Sequence, residues 1–361
     1  MPRNPAETPE SEQPGKIRVP EDSSAGRLDR RLSVAPMMDW TDRHCRYFLR
    51  GFSPRVLLYT EMITAAAIVR GDRARLLAFD PEEHPVALQL GGSDPGELAA
   101  AARAGEAAGY DEINLNCGCP SDRVASGAFG ACLMRSPELV GDCVSAMRAA
   151  VRVPVTVKMR VGVIEGRGAE AIAACRRFDD DDREALHRFV RAVRDAGCEA
   201  AIVHARKAVL SGLSPKDNRE VPPLRYDVVR EVRRAFPGLP FILNGGLREP
   251  GAILDALRDC EGVMLGREAY HRPYLLTRLH AAVFGAEPAT PRRAELLERM
   301  ARYAQRELAR GERLSAITRH MLGLQAGEPG AREFRRLLSE GSRRPGAGAE
   351  LILAAAGCVP A

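Results

Sequence analysis

The sequence has few aromatic residues, scattered cysteines and no long apolar run. Of its 361 residues 5% are aromatic, with a single Trp, and the nine cysteines are too dilute for a disulfide framework. No pair of CxxC motifs occurs, which argues against a structural zinc site, and we expect no bound metal. The longest apolar runs, such as residues 351–356, fall far short of the ~20 residues of a membrane span. We therefore expect a globular, cytoplasmic protein that does not associate with a membrane.

The two ends of the chain differ from its middle. Five prolines in the first 30 residues predict a disordered N-terminal tail, without the apolar stretch of a secretory signal. Near the other end, residues 291–345 carry 13 Arg against 7 Asp and Glu, whereas the whole chain has a formal net charge of +5. This basic segment either binds a polyanionic partner or presents an ordinary solvated helix surface.

Short β-branched segments alternate with longer segments rich in Ala, Leu and Arg from residue 31 to residue 287. Apolar residues recur at helical spacing in the longer segments, for example at 95–108, 137–150 and 183–196. Strands alternating with helices predict a parallel sheet, and eight such units predict a (β/α)8 TIM barrel, an α/β fold. The predicted strands are residues 32–37, 56–62, 85–90, 112–116, 154–160, 201–205, 240–244 and 262–266.

Local signals mark the ends of several elements. Asp94 and Ser136 each precede a proline, which predicts two helix starts with a capping side chain. Gly109 follows the first of these helices and predicts its end. Residues 162–182 predict a long loop after the fifth strand.

The strand–helix alternation ends near residue 287 and only helical patterns follow. They cover residues 292–310, 313–324 and 330–339, after a linker at 288–291. We expect a barrel of residues 31–287, a basic all-helical domain of residues 291–345 and a C-terminal tail of residues 346–361.

Active sites of such barrels lie at the carboxyl ends of the strands, where this sequence has polar residues after nearly every strand. Asn244, Gly245 and Gly246 follow the seventh strand, and Gly266 and Arg267 follow the eighth. Because glycines let backbone N–H groups approach an anion, this combination predicts a phosphate site. A glycine pair alone would indicate a turn.

Four further residues at the strand ends have more than one interpretation. Lys158 and His204 lie on adjacent predicted strands and suit an anionic reduced flavin, although each alone is typical of a snorkelling lysine or a buried core histidine. Gln89 has donors and acceptors that suit the edge of a flavin or pyrimidine ring. Cys119 is held extended by Pro120, so its thiol is either an inert turn residue or a proton donor.

Long stretches of the sequence resemble the tRNA-dihydrouridine synthases, and within that family the A subfamily, which acts on uridines 20 and 20a. The matching motifs occur in order from about residue 30 to about residue 340, and the block after His204 and the TRHMLGL helix point to the subfamily. The motifs are VAPMMDWTDRHCRYFLR at 34–50, LLYTEM at 57–62, EEHPVALQLGGSDP at 82–95, YDEINLNCGCPSDRV at 110–124, PVTVKMR at 154–160, VHARKAVLSGLSPKDNREVPPL at 203–224, NGG at 244–246, GVMLGREAY at 262–270 and ITRHMLGL at 317–324.

The resemblance implies an FMN-dependent, NADPH-driven reduction of the C5–C6 double bond of uridine in the tRNA D-loop. In this chemistry NADPH reduces FMN, the flavin N5 delivers a hydride to C6, and Cys119 protonates C5. The partner implied is tRNA, whose target base leaves its stack to reach the barrel mouth. We expect the protein to be a monomer.

By position, the resemblance assigns Cys119 as the catalytic acid and two sets of binding residues. The set implied for FMN is Pro36, Met37, Met38, Gln89, Lys158, His204, Asn244, Gly245, Gly246, Gly266 and Arg267. The set implied for tRNA is Asn116, Arg160, Arg206, Ser211, Ser214, Arg332 and Arg335.

The chain departs from the family pattern at Cys117, where an aliphatic residue is usual, and in the segment 162–182, which looks longer than the family's. Two other functions stay open. A flavin barrel acting on a small pyrimidine, resembling the dihydroorotate dehydrogenases, would have no use for the basic helices. A non-catalytic tRNA-binding protein would have no use for Cys119, Lys158 and His204.

Overall fold

The computed structural model describes residues 28–120, 129–285 and 290–358. Its strands are β1 Leu32–Val34, β2 Leu57–Thr64, β3 Val86–Gly91, β4 Glu112–Cys117, β5 Val155–Arg160, β6 Val163–Ile164, β7 Ala201–His204, β8 Ala208–Val209, β9 Phe241–Asn244 and β10 Gly262–Leu265. Eight of them close a parallel barrel in the order β1-β10-β9-β7-β5-β4-β3-β2, and β6 pairs with β8 outside it. The predicted TIM barrel is confirmed, with all eight predicted strands in place.

Helices follow most strands and cover the outside of the barrel. They are α1 Arg43–Arg50, α2 Ala65–Arg70, α3 Arg73–Leu76, α4 Pro95–Ala108, α5 Pro137–Ala150, α6 Gly168–Arg176, α7 Asp180–Asp195, α8 Tyr226–Ala235, α9 Pro250–Asp259, α10 Arg267–His271, α11 Tyr274–Phe284, α12 Arg293–Ala309, α13 Leu314–Thr318, α14 Ala331–Arg336 and α15 Glu350–Ala356. Short 3-10 helices lie at Pro81–Glu83, Gly130–Arg135 and Asp217–Arg219, and a π-helix lies at Leu337–Gly341. Within the described ranges, no helix has the length and apolar character to cross a membrane.

The barrel interior is apolar on one side and polar on the other. The apolar side consists of Ala35, Leu57, Tyr59, Ala87, Ile202, Ile242 and Met264. Successive side chains of a strand face opposite sides of the sheet, so β3, β4 and β5 turn every second residue inward. Their polar inward residues include Gln89, Glu112, Asn114, Asn116, Thr156 and Lys158. A larger apolar cluster packs the outward faces of the strands against the helices.

One predicted helix start is confirmed and the other is correct only in position. Asp94 accepts a hydrogen bond from the N–H of Glu97 at 2.7 Å, and Gly109 ends α4 with a φ of 100°. Helix α5 begins at Pro137 as predicted, but Ser136 makes no side-chain capping bond. Its backbone, at φ −126° and ψ 66°, follows directly from a 3-10 turn and is not in the extended conformation of a capping residue.

The prediction of a loop at residues 162–182 is wrong. Strand β6 pairs with β8, and helix α6 lies within the same segment. Ala171 and Cys175, one turn apart on α6, pack against Val209 of β8. A two-residue strand and a nine-residue helix have too few apolar repeats to stand out in the sequence.

The C-terminal helices pack on the first helix of the barrel. Tyr303 of α12 stacks on Tyr47 of α1, with ring centroids 4.0 Å apart, and its hydroxyl lies 2.8 Å from His44 Nδ1. Arg43 of α1 pairs with the buried Glu307 of α12. These contacts attach the basic helices firmly to the barrel.

The predicted ends of the chain are described only in part. The predicted N-terminal tail lies outside the described residues as far as residue 27, and so do residues 288 and 289 of the predicted linker. Arg30, inside the predicted tail, contacts the barrel floor, because its Nε lies 2.6 Å from Glu112 Oε2. The predicted helix at 313–324 ends earlier, at Thr318, and the predicted C-terminal tail contains α15. The division into domains stays a prediction.

Candidate active site

The strand register brings most of the predicted residues to one mouth of the barrel. Asn116 of β4 is level with Lys158 of β5, and Arg160 of β5 is level with His204 of β7. His204 is in turn level with Asn244 of β9, which places these residues side by side. Three cationic or titratable side chains, Lys158, Arg160 and His204, thus lie together at the ends of β5 and β7.

Cys119 lies in a turn that is held on three sides. Asn116 Oδ1 accepts hydrogen bonds from the N–H groups of Gly118 and Cys119, both at 3.0 Å. Arg160 Nε donates to the Gly118 carbonyl at 3.1 Å, and the Cys119 carbonyl accepts from Ala131 at 2.9 Å. The half-buried thiol therefore occupies a defined position at the end of β4.

Positive charge surrounds this thiol. Cys119 is close enough to Lys158, Arg160 and Arg219 to interact electrostatically with each of them. Burial, together with the guanidinium groups of Arg219 and Arg206, lowers the pKa of Arg160 to about 10. The same cations would attract an anionic ligand into the mouth.

Lys158 is a cation without a carboxylate partner in the part of the chain that the structure describes. Burial and the neighbouring Arg160 lower the pKa of Lys158 to about 7. A buried cation is unfavourable unless an anion accompanies it, so Lys158 indicates the binding position of an anionic or acceptor group.

The His204 ring is neutral, and its hydrogen-bonding capacity is only partly used within the described residues. Burial, followed by the nearby Arg160 and Lys158, lowers the pKa of His204 far below its ordinary value. Its Nδ1 is buried and has no hydrogen-bond partner among the described residues. An unpaired buried nitrogen of this kind calls for a ligand atom or an ordered water.

Two glycines allow the turn after β9 to pack closely against His204 and Leu224. Gly245 and Gly246 have φ values of 108° and 69°, a region that disfavours any residue with a side chain. A Cβ at Gly245 would lie 3.0 Å from His204 Nε2, and a Cβ at Gly246 would overlap Leu224 Cδ1. Tyr226 donates its hydroxyl proton to the Gly245 carbonyl at 2.5 Å, which fixes the turn.

Arginines continue the positive surface beyond the glycine turn. Arg206 has a buried Nε without a partner among the described atoms, and its other end binds the Pro222 carbonyl. Arg267 pairs with Glu220 at 2.8 Å. Burial and the proximity of Arg267 lower the pKa of Arg219. The arginines outnumber the acids here, which matches an anionic ligand.

The rim next to the glycine turn, at the ends of β10 and β1, carries the Met37 turn and aromatic rings. Thr41 Oγ1 accepts a hydrogen bond from the Met37 N–H at 2.9 Å, and Met37 packs on the apolar interior of the barrel. Met38 is 56% exposed. Trp40 stacks on Tyr270, with ring centroids 4.6 Å apart. Pro36 and Gly266 lie on the same rim, at the ends of β1 and β10.

The remaining predicted residues fall into three places. Gln89 lies inside the barrel, bonded to Asn114 and Asn116. Asn244 Nδ2 donates to the Met264 carbonyl at 2.7 Å, which ties β9 to β10. Ser211 and Ser214 lie in the loop after β8, where Ser214 Oγ donates to Asp217 at 2.7 Å.

Arg332 and Arg335 lie on α14, away from the barrel strands. Both are exposed, and neither has an ion pair within the described residues, whereas Arg336 on the same helix pairs with Glu333 at 2.6 Å. They are spaced three residues apart, so both face the same side of the helix.

Sequence reasoning missed Arg219 and Tyr226. Arg219 belongs to the quoted block 203–224, but an arginine in an irregular loop carries no signal of its own. Tyr226 follows that block and begins α8, so only the fold shows that it reaches Gly245. Cys117 is fully buried in the core outside the barrel, consistent with a packing role, and burial raises the pKa of its thiol.

Comparison with known proteins gives the same family that the sequence motifs resemble. The family described as Dihydrouridine synthase (Dus) matches residues 33–356. A tRNA-dihydrouridine(20/20a) synthase of Xanthomonas campestris is 56% identical over 322 residues, covering 89% of this chain and 91% of that protein. Proteins of the same name from Pseudomonas aeruginosa and Vibrio cholerae are 54% identical (89% of this chain, 92% of that protein) and 50% identical (91% and 97%).

Proposed function

The chain belongs to the dihydrouridine synthase family, and on that basis we propose that it reduces uridines 20 and 20a of tRNA to dihydrouridine with FMN and NADPH. One observation carries the proposal: a half-buried thiol at a fixed turn lies among cations at the mouth of the barrel. A reduction across a C=C bond needs a proton donor beside a bound redox cofactor, and this mouth supplies a thiol and the positive charge that an anionic cofactor requires.

The residues present fit FMN. Lys158 lacks a carboxylate and the His204 Nδ1 lacks a partner within the described residues, so both are available to the polar edge of a ring system. Gly245, Gly246 and Arg267 would hold the phosphate, since backbone N–H groups of a glycine turn can approach an anion closely and Arg267 provides charge. FMN, reduced by NADPH, would supply the hydride that no side chain can supply.

The other cofactor-binding residues complete this site. Met37 would pack on the ring from the apolar side of the barrel, with Pro36 and Met38 beside it on the rim. Gln89 would present its amide to the ring edge, and Asn244 and Gly266 would line the phosphate end.

Cys119 would hold the proton that C5 of the uracil receives. The hydrogen bonds from Asn116 and Arg160 to its turn keep the sulfur at one place, which reduces the entropy lost on reaching the reactive geometry. Arg160 uses two of its nitrogens on backbone carbonyls, so its contribution is mainly to hold the turn and to supply positive charge.

The basic surface would bind the tRNA. Arg206, Ser211 and Ser214 lie beside the mouth, where the extruded uridine and its neighbours would pass. Arg332 and Arg335 would bind phosphates at a distance, since their charges are not used within the described structure. Affinity for tRNA should therefore fall as salt rises. A small-pyrimidine oxidoreductase would leave these two arginines without a role.

The decisive test compares Cys119→Ala with Cys132→Ala. Both cysteines are half-buried, and Cys132 lies in the 3-10 turn that follows, so the two variants make the same chemical change. Cys119→Ala should bind FMN normally and form no dihydrouridine in tRNA, whereas Cys132→Ala should stay active. Unchanged turnover in Cys119→Ala would reject Cys119 as the acid. Purified protein that is colourless and takes up no FMN would reject the cofactor.

A further inference from the structure

A chain of hydrogen bonds runs through the polar half of the barrel from the Cys119 turn to the floor. Its members, Asn116, Gln89, Asn114, Thr156 and Glu112, are all buried. The links are Asn116 Nδ2 to Gln89 Oε1 at 2.8 Å, Gln89 Nε2 to Asn114 Oδ1 at 2.8 Å, Asn114 Nδ2 to Thr156 Oγ1 at 2.9 Å, and Thr156 Oγ1 to Glu112 Oε1 at 2.6 Å.

The two ends of this chain determine its direction. At the upper end the N–H groups of Gly118 and Cys119 can only donate, so Asn116 must present its oxygen to them. At the lower end an ionised carboxylate can only accept, so Thr156 must donate to Glu112. Each amide between them has one oxygen and one NH₂ group, and every link therefore donates towards the floor.

Glu112 is in turn held as an acceptor from the other side. Arg30 Nε donates to Glu112 Oε2 at 2.6 Å, and the Tyr59 hydroxyl donates to Glu112 Oε1. The carboxylate is fully buried and all three partners donate to it. No member of this lower group touches the mouth of the barrel, which begins at Asn116 and Lys158.

We infer that Glu112 is a positioning residue for the active site: as the charged acceptor at the end of the hydrogen-bond chain it keeps the Gln89 and Asn116 amides in the orientation that the Cys119 turn requires, and so holds that turn in place. The inference rests on the proposed function for the roles of Gln89 and Cys119, but the hydrogen-bond chain itself does not depend on it.

The substitution Glu112→Gln shows why the charge matters. The new amide must turn its oxygen towards Arg30, because an NH₂ group there would face another donor. Its NH₂ group then faces the Thr156 hydroxyl, whose proton loses its acceptor. Within the chain, Asn114 can replace that acceptor only if it and the amides above it turn over. At the upper end Asn116 would present NH₂ to the N–H of Cys119, which is a clash between donors. A change that keeps size and shape at the floor would thus release the turn at the mouth.

A second buried ion pair provides the matched control. Glu83 is also fully buried, and Arg46 Nε lies 2.6 Å from its Oε2, the same distance as between Arg30 and Glu112. Glu83 bonds to Arg46 and to the backbone of Asp80. Its link towards the mouth runs through Arg46 to the backbone carbonyl of Thr41, which can only accept and cannot turn over as an amide side chain can. Glu83→Gln therefore reproduces the loss of a buried negative charge without disturbing the hydrogen-bond chain of Asn116, Gln89, Asn114 and Thr156.

The experiment measures three properties of each variant: the unfolding temperature, the Kd for FMN by titration of the apoprotein, and the alkylation rate of Cys119 by iodoacetamide, read from its peptide by mass spectrometry. Both variants should lower the unfolding temperature. Only Glu112→Gln should weaken FMN binding about tenfold, as expected from the loss of a hydrogen bond to a buried polar partner, and speed the alkylation of Cys119 several-fold. The last two readouts need no turnover, so they test the inference even if the proposed function fails.

Two further variants keep the inference open to refutation if Glu112→Gln does not fold. Thr156→Val cuts the chain without removing a charge and should shift FMN affinity and Cys119 alkylation in the same direction. Combining Arg30→Met with Glu112→Gln removes the Arg30 donor that makes the new amide turn its oxygen towards residue 30. This double variant should restore FMN affinity and the Cys119 alkylation rate towards their wild-type values. The inference would be overturned if Glu112→Gln matched Glu83→Gln in all three properties. It would also be overturned if Thr156→Val left FMN affinity and Cys119 alkylation unchanged.

Discussion

Lys158 should destabilise the protein when no ligand is bound, and replacing it by methionine should therefore stabilise the apoprotein. Burial and Arg160 lower the pKa of Lys158 from 10.5 to about 7 in the folded protein. The folded state then binds fewer protons than the unfolded state between these two values, so stability is lowest below about pH 7 and rises as the pH increases towards 10.5. Methionine has a similar length and no charge, and it removes this dependence.

The size of the effect follows from the two pKa values. At 1.36 kcal/mol per pH unit, the charged lysine costs at most about 5 kcal/mol at pH 6. At pH 9 the folded lysine is neutral and the cost is only about 2 kcal/mol, which is the free energy of deprotonating the unfolded chain at that pH. Lys158→Met should therefore gain about 3 kcal/mol more stability at pH 6 than at pH 9.

Urea unfolding of the apoprotein at the two pH values measures this difference. Lys207→Met is the control, because Lys207 is 2% exposed but paired with Asp182, so its removal should destabilise the protein at both pH values. Lys158→Met should also bind FMN more weakly, since the ligand loses its cation. The reasoning would be refuted if Lys158→Met were less stable than wild type at pH 6. It would also be refuted if the substitution raised the free energy of unfolding equally at pH 6 and pH 9.

Two other substitutions test the outer parts of the site. Charge reversal of Arg332 and Arg335 to Glu should weaken tRNA binding in a filter assay and flatten its salt dependence, without changing NADPH oxidation by oxygen. The control Arg336→Glu, on the same helix but at an ion-paired position, should weaken tRNA binding much less. Equal tRNA affinities of the wild type and both variants would show that α14 does not contact the tRNA. Tyr226→Phe removes the bond to the Gly245 carbonyl and should raise the Kd for FMN about fivefold, from a loss of ~1 kcal/mol. The control Tyr110→Phe removes a buried hydroxyl that is bonded to the Leu77 carbonyl, far from the mouth, and should leave the Kd for FMN unchanged. An unchanged Kd in Tyr226→Phe would contradict the role given to the Tyr226 hydroxyl.

The barrel was predictable because its strands are buried on both faces. Segments such as Val86–Gly91 and Phe241–Asn244 are short, mostly apolar and bounded by Pro and Gly, and such segments alternate with amphipathic helices. The small sheet of β6 and β8 was not predictable, since its strands have two residues each and gain their stability from the barrel beside them.

The site was predictable where a residue type is unusual for its place, as with Lys158 on a buried strand or two consecutive glycines at Gly245 and Gly246. The position of Arg160 beneath the Cys119 turn depends on the register of β4 against β5, which one sequence does not reveal. Glu112 looks like an ordinary charge at a strand start until the fold shows it buried against Arg30.

The single tryptophan makes the rim of the barrel observable without any attached label. Trp40 stacks on Tyr270 next to the mouth, so all tryptophan emission of the chain comes from this one place. A flavin absorbs in the near ultraviolet and would quench that emission by energy transfer as it enters. Stopped-flow fluorescence of the unmodified protein should therefore record cofactor loading and tRNA arrival as separate phases.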